Sequence, residues 1–122
     1  MRIKTKETIF TIDKTEELLK PFVDEGDDFS IKLKVLSLKD QSELDAAIET
    51  GDKKDKDVYK IISAMAKKII VGWEGFKDDE GKTVRFSQSV LEDLVNYSPE
   101  FILAIIDIYR EKVNEREHAK KK

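Results

Sequence analysis

The chain has 122 residues, of which 39% are hydrophobic and 40% charged, and its 23 Lys and Arg against 26 Asp and Glu leave a net charge of -3. This length suits one domain with a single core, and the net charge excludes a global positive field that would attract nucleic acid or acidic lipid. The absence of Cys excludes disulfides, thiol nucleophiles and Cys-ligated zinc. No apolar run reaches a signal-peptide core or the roughly 20 residues that cross a bilayer, so we expect a cytoplasmic protein without a membrane partner.

The N-terminal third contains two β-prone runs, at about residues 5–12 and 29–36. In the second, FSIKLKV, apolar and polar residues alternate as in a half-buried strand. Between the runs, Asp13 and Glu16 have the spacing of a capping box, and Pro21 limits the helix that follows to about two turns. Because a segment as short as the one between the two runs rarely makes the crossover that parallel strands need, we expect an antiparallel strand pair.

Two helices are predicted in the middle of the chain. Ser37 or Asp40 can cap the first, which ends at Gly51 and is followed by the charged linker DKKDKD. Over residues 55–70 apolar residues recur at helical spacing and lysines lie mostly off that stripe, which predicts a strongly amphipathic helix.

The stretch VGWEGFKDDEGKTVRF, residues 71–86, separates this helix from the next. Its acidic turn residues and the β-prone run TVRF predict a small irregular β-hairpin or extended turn. A single Trp beside a helix end and a glycine turn is most often a core residue, so we expect Trp73 to be buried against Phe86.

Two further helices are predicted in the C-terminal third. Ser87 or Ser89 can cap the first, with Ser89 and Glu92 in capping-box spacing, and it ends near residue 96. A capping Ser, a Pro at the first helical position and an acid begin the second at Pro99. Its apolar residues cover more than one narrow stripe, so part of that surface is predicted to meet a partner. The candidate partner-binding residues are Phe101, Ile102, Ile105, Ile108 and Tyr109.

These elements predict an α+β fold, a mainly helical single domain over residues 1–117 with an N-terminal antiparallel strand pair and a small central hairpin or turn. Residues 118–122 form a basic tail that we expect to fray.

No catalytic or cofactor-binding pattern is evident. The glycines do not have phosphate-loop spacing, and His118, the single histidine, lies in the polar tail. The acidic turns at residues 24–28 and 78–81 do not have the carboxylate spacing of a calcium loop, and solvated turns are the simpler interpretation. We therefore expect no catalytic residue, no cofactor, no metal and no enzymatic activity.

The order of features over residues 69–109 is more informative than any one of them. It runs IVGWEG, an acidic DxxGK turn, VRFS, the helical run VLEDLV, SPE and an apolar helix that ends in Tyr. This order resembles that of the phage tail assembly chaperones, small proteins encoded in the tail modules of long-tailed bacteriophages and prophages, and the resemblance covers residues 61–112. By this resemblance the positions that mark the family, with a structural role, are Val71, Gly72, Trp73, Gly75, Gly81, Phe86 and Ser87.

The resemblance implies a non-enzymatic protein of the bacterial host cytoplasm that binds the tape-measure protein and assists polymerisation of the tail-tube protein. Exposed apolar helix faces would cover the apolar stripes of the tape measure and would also support homo-oligomers. Two alternatives stay open: a structural or completion protein of the virion tail, and a small regulator that binds DNA through the Lys-rich face of the helix at residues 55–70.

Overall fold

The structure, a computed structural model, describes residues 8–24, 26–51 and 56–120, with the side chains of the last helix described to Glu115. Within these ranges the chain forms three strands, four α-helices and one 3-10 helix. The predicted α+β class, mainly helical with an N-terminal antiparallel strand pair, is confirmed. In chain order the elements are β1 (Ile9–Asp13), the 3-10 helix (Glu17–Phe22), β2 (Ser30–Lys34), α1 (Leu38–Thr50), α2 (Lys56–Ile69), β3 (Ile70–Glu74), α3 (Gln88–Tyr97) and α4 (Pro99–Lys120).

The strands form one antiparallel sheet in the order β1-β2-β3. Ile31 of β2 lies between Ile12 of β1 and Trp73 of β3, and all three side chains are buried. Residues that alternate with them, such as Thr11 and Lys32, are exposed. The alternation in β2 therefore places one face of the sheet on the helices and the other in solvent.

The third strand was not predicted, because its residues read as the end of the preceding apolar run. In the structure α2 ends at Ile69 and β3 begins at Ile70, with no turn residue between them. Both isoleucines are buried. An apolar run that is buried on both sides of such a junction fits a helix and a strand equally well, so periodicity alone does not locate the change.

The predicted capping box between the first two strands is wrong. The short helix there is a 3-10 helix that begins only at Glu17 and has no side-chain cap. Asp13 instead accepts hydrogen bonds from the backbone N–H and the hydroxyl of Thr15, which closes a turn directly after β1. The Glu16 carboxylate lies 3.2 Å from Lys112 Nζ on α4. Asp13 is thus used locally, Glu16 contacts the distant helix α4, and Pro21 lies inside the 3-10 helix.

Two of the four helices begin at serines that the sequence offered as caps. Ser37 Oγ accepts from the backbone N–H of Asp40 at 3.2 Å, and Ser87 Oγ accepts from that of Val90 at 3.1 Å. The alternative cap and capping box at Ser89 are wrong, because α3 already includes that residue.

The wide apolar face of the long helix α4 is buried, because several elements pack against it. It packs against α3 and the 3-10 helix. The Arg110 guanidinium also reaches Asp45 and Glu49 of α1, at 3.0 and 3.2 Å. Among the described residues, no helix combines the length and the apolar character that a bilayer crossing requires.

Candidate functional site

The five candidate partner-binding residues of α4 are all buried in the core of their own domain. Ile105 and Ile108 are each 1% exposed, and Tyr109 is fully enclosed. The expectation that these side chains form an exposed face is therefore wrong for the folded chain. The reason is that the wide apolar surface of α4 meets several elements at once, which a helical stripe alone does not reveal.

Tyr109 illustrates how thoroughly α4 is enclosed. Its hydroxyl accepts from the backbone N–H of Leu36 at 2.9 Å and donates to Gln41 Oε1 at 2.8 Å. Burial raises the pKa of this phenol above its ordinary value, and the negative charge of Asp45 acts in the same direction. Tyr109 thus joins α4 to the start of α1 as a neutral, hydrogen-bonded core residue.

The residues on which the resemblance to the tail assembly chaperones rests lie in the segment between α2 and α3, which comprises β3 and the hairpin after it. The Trp73 ring is 7% exposed, stacks on Phe76 at 4.7 Å and meets the edge of Phe86 at 4.8 Å. Its indole N–H donates to the carbonyl of Val84 at 2.9 Å. The prediction of a buried Trp73 packed on Phe86 is confirmed.

The residues between Phe76 and Phe86 form the predicted small hairpin. Lys77 and Thr83 pair in a single antiparallel bridge. Asp78 Oδ1 accepts from the backbone N–H groups of Glu80 and Lys82, both at 2.9 Å, and Gly81 has a φ of +80°. The acidic residues of this turn therefore shape the backbone.

An open cleft of about 810 Å³ lies where this hairpin meets two other segments. One wall comes from the end of the 3-10 helix and the turn before β2, another from the hairpin, and the third from the junction of α3 and α4. This cleft is lined by Phe22, Val23, Asp24, Asp27, Phe29, Gly75, Phe76, Lys77, Asp78, Asp79, Gly81, Leu94, Tyr97, Ser98, Glu100 and Phe101.

The pairing of β2 with β3 assembles two of these walls. Ser30 at the start of β2 is opposite Glu74 at the end of β3, so the turn before β2 and the hairpin after β3 lie at the same edge of the sheet. Gly75 makes the exit from β3 with a φ of +83°, and a Cβ there would collide with the backbone carbonyl of Asp28. Glycine thus permits a close approach that a side chain would prevent.

Aromatic side chains come from all three walls of the cleft. Phe29 and Phe101 are each 8% exposed, and both contact the half-buried Phe76, with ring centroids 6.1 and 6.2 Å away. Phe22 lies 5.6 Å from Phe101 and is 43% exposed. Tyr97, at the end of α3, is 84% exposed. The apolar surface therefore continues from the core out to the rim.

The rim is acidic. Its described lining residues include five carboxylates, from Asp24, Asp27, Asp78, Asp79 and Glu100, and one cation, Lys77. Apart from Asp78, none of these five has a side-chain hydrogen bond or ion pair with the described part of the chain. All five are exposed, so the cleft carries negative charge that its own walls do not neutralise.

The neighbouring acid Asp28 differs, because Lys14 Nζ lies 2.6 Å from its Oδ1. That hydrogen bond and charge lower the pKa of Asp28 below its ordinary value and raise the pKa of Lys14. In the part of the chain that the structure describes, no group of three or more His, Cys, Asp or Glu side chains converges as a metal site would need. The two acidic turns thus share a rim without gathering their carboxylates around one point.

A second cavity, of about 390 Å³, lies between β1, the turn after it and α4. Glu16 and Lys112 line this cavity and form an ion pair across it at 3.2 Å, which raises the pKa of Lys112. Its one lysine is therefore already paired, and its single aromatic side chain, Phe10, is half-buried, so it lacks the exposed aromatic surface of the cleft.

Comparison with known proteins identifies the family. No curated protein and no solved structure matches the chain. Residues 25–122, which include the whole cleft apart from Phe22, Val23 and Asp24, match the family model described as YdaY prophage protein. The chain belongs to the YdaY prophage protein family.

Proposed function

We propose that this prophage protein is a non-enzymatic chaperone of tail assembly, which binds the tape-measure protein in the cytoplasm of the bacterial host and assists polymerisation of the tail-tube protein. Membership of a prophage family supports the phage context. The order of features over residues 69–109, which resembles that of the tail assembly chaperones, supports the role in the tail.

The observation that carries a binding role is the cleft, because it offers apolar surface that its own domain leaves uncovered. Two of its aromatic residues, Phe22 and Tyr97, are among the large hydrophobic side chains that are exposed. A cleft of about 810 Å³ lies within the roughly 300–1,000 Å³ of ordinary ligand clefts. Exposed aromatic side chains beside a charged rim are typical of protein-binding surfaces.

The ion pairs of α2 make the alternative of a DNA-binding regulator less favourable than the chaperone. Lys68 Nζ lies 3.1 Å from Asp40, and Lys67 Nζ lies 3.6 Å from Glu92. Two of the lysines that would contact phosphates are therefore held beside carboxylates, which reduces the positive potential of that face.

The test is co-expression of the tagged chain with the tape-measure protein of the same prophage, compared with the tape measure expressed alone. We expect the chain to raise the soluble fraction of the tape measure and to co-elute with it. An insoluble tape measure and a chain that elutes alone would contradict the proposal. Finding the chain in purified virions would instead establish the alternative of a structural or completion protein.

A further inference from the structure

We propose that the cleft binds a segment of a partner protein in which Lys or Arg side chains flank an aromatic or large aliphatic side chain. This inference rests on the proposed function for the source of the segment, which is the tape-measure protein. The chemistry of the segment follows from the cleft alone.

The anchor must be apolar because of the shape and composition of the cleft. Phe29, Phe76 and Phe101 present a mostly buried aromatic floor, with Phe22 and Tyr97 more exposed above it. An aromatic or aliphatic side chain placed on this floor removes apolar surface of both partners from water, and rings meet one another favourably in edge or offset contact.

The residues that flank the anchor in the bound segment must be basic, because four carboxylates of the rim have no ion-pair partner in the described part of the chain. Asp24 and Asp27 come from one turn, Asp79 from the hairpin and Glu100 from α4, so the charge surrounds the floor on several sides. A cation beside any of these carboxylates gains a partner that the protein itself does not supply. An acidic segment would face repulsion from the same four groups, so the rim selects among apolar segments by charge.

The probe is a fluorescein-labelled peptide, GKKFLKWLKKG, whose binding to the whole chain is followed by fluorescence anisotropy. Two control peptides separate the contributions: GEEFLEWLEEG reverses the charge, and GKKSSKSSKKG removes the apolar anchors. We expect binding of the first peptide only. We also expect added NaCl to weaken it, because the Debye length falls from about 10 Å at 0.1 M to about 3 Å at 1 M.

Matched variants of the protein locate the binding site. The double change Asp24→Asn and Asp79→Asn removes two rim charges without a change of volume, and its control, Glu43→Gln with Asp107→Asn, removes two exposed charges outside the cleft. Tyr97→Ala is matched by Leu38→Ala, since both side chains are 84% exposed and only Tyr97 lines the cleft. Each cleft variant should weaken peptide binding by about fivefold to tenfold, and the controls should leave it unchanged.

The outcomes separate this inference from the proposed function. If the cleft variants and their controls bind the peptide equally, or if the acidic peptide binds as well as the basic one, the inference is overturned. If the peptide results hold and the tape measure does not co-elute with the chain, the cleft specificity stands and the proposed function fails. If wild type sediments as a dimer and Tyr97→Ala as a monomer, the occupant is a second copy of this chain, which also overturns the inference.

Discussion

Gly75 is the residue on which the close approach of the two acidic segments depends. Its φ of +83° lies in the left-handed region, and an added Cβ would meet backbone atoms of Asp28 and Phe29. Backbone atoms cannot move aside as the end of a flexible side chain can. We therefore expect Gly75→Ala to lower the free energy of unfolding by more than about 3 kcal/mol, measured by urea denaturation.

Gly81 provides the control, because it lies in the same hairpin with a φ of +80° and has nothing within 4 Å of an added Cβ. Gly81→Ala should lower the free energy of unfolding by only about 1–2 kcal/mol, which is the cost of the left-handed conformation for Ala. Equal losses in the two variants would show that the contact with Asp28 and Phe29 does not restrict the turn.

At the scale of elements, the start of α3 distinguishes two serines that the sequence alone leaves equivalent. Ser87 Oγ accepts from the backbone N–H of Val90, whereas Ser89 lies in the first turn with its side chain exposed. Ser87→Ala should therefore lower the free energy of unfolding by about 1 kcal/mol. Ser89→Ala should change it by less than about 0.5 kcal/mol. Urea midpoints of the two variants provide the measurement, and a larger loss for Ser89→Ala would contradict the assignment.

The elements that the sequence predicts well are those with local signals. The alternation in β2, the stripe of α2 and the Pro at the start of α4 each specify their element within a few residues. The strand β3 was missed because its pairing with β2 is a contact between distant parts of the chain. The one residue that interrupts the apolar run of β3 is Gly72, which lies opposite Lys32. A glycine in an apolar run is not specific to a strand, so it does not predict one.

At the scale of the whole molecule, the cleft could not be predicted once β3 was missed. Asp24 and Asp79 lie far apart in sequence, and only the antiparallel register that sets Ser30 opposite Glu74 brings their turns to one edge of the sheet. Each turn alone reads as a solvated acidic loop. Together they form the rim of a cleft whose aromatic floor comes from three different segments.

The enclosure of α4 also changes which experiment can test partner binding. Ile105 and Ile108 are each 1% exposed, so an Asp at either position would bury a charge without a partner. We expect Ile105→Asp and Ile108→Asp each to lower the free energy of unfolding by more than about 4 kcal/mol, a large part of the stability of a small domain.

Ile61→Asp on α2 is the control for the same chemical change. Ile61 is 38% exposed, so the carboxylate of the new Asp would remain in water. Far-UV circular dichroism during urea denaturation should show this control folded at urea concentrations where both α4 variants have unfolded. A loss of the proposed tape-measure binding in the α4 variants would then report unfolding, and a surface residue such as Tyr97 is needed to test contact. A folded Ile105→Asp variant with an unchanged urea midpoint would instead mean that α4 can leave the core, which would restore its apolar face as the surface that a partner covers.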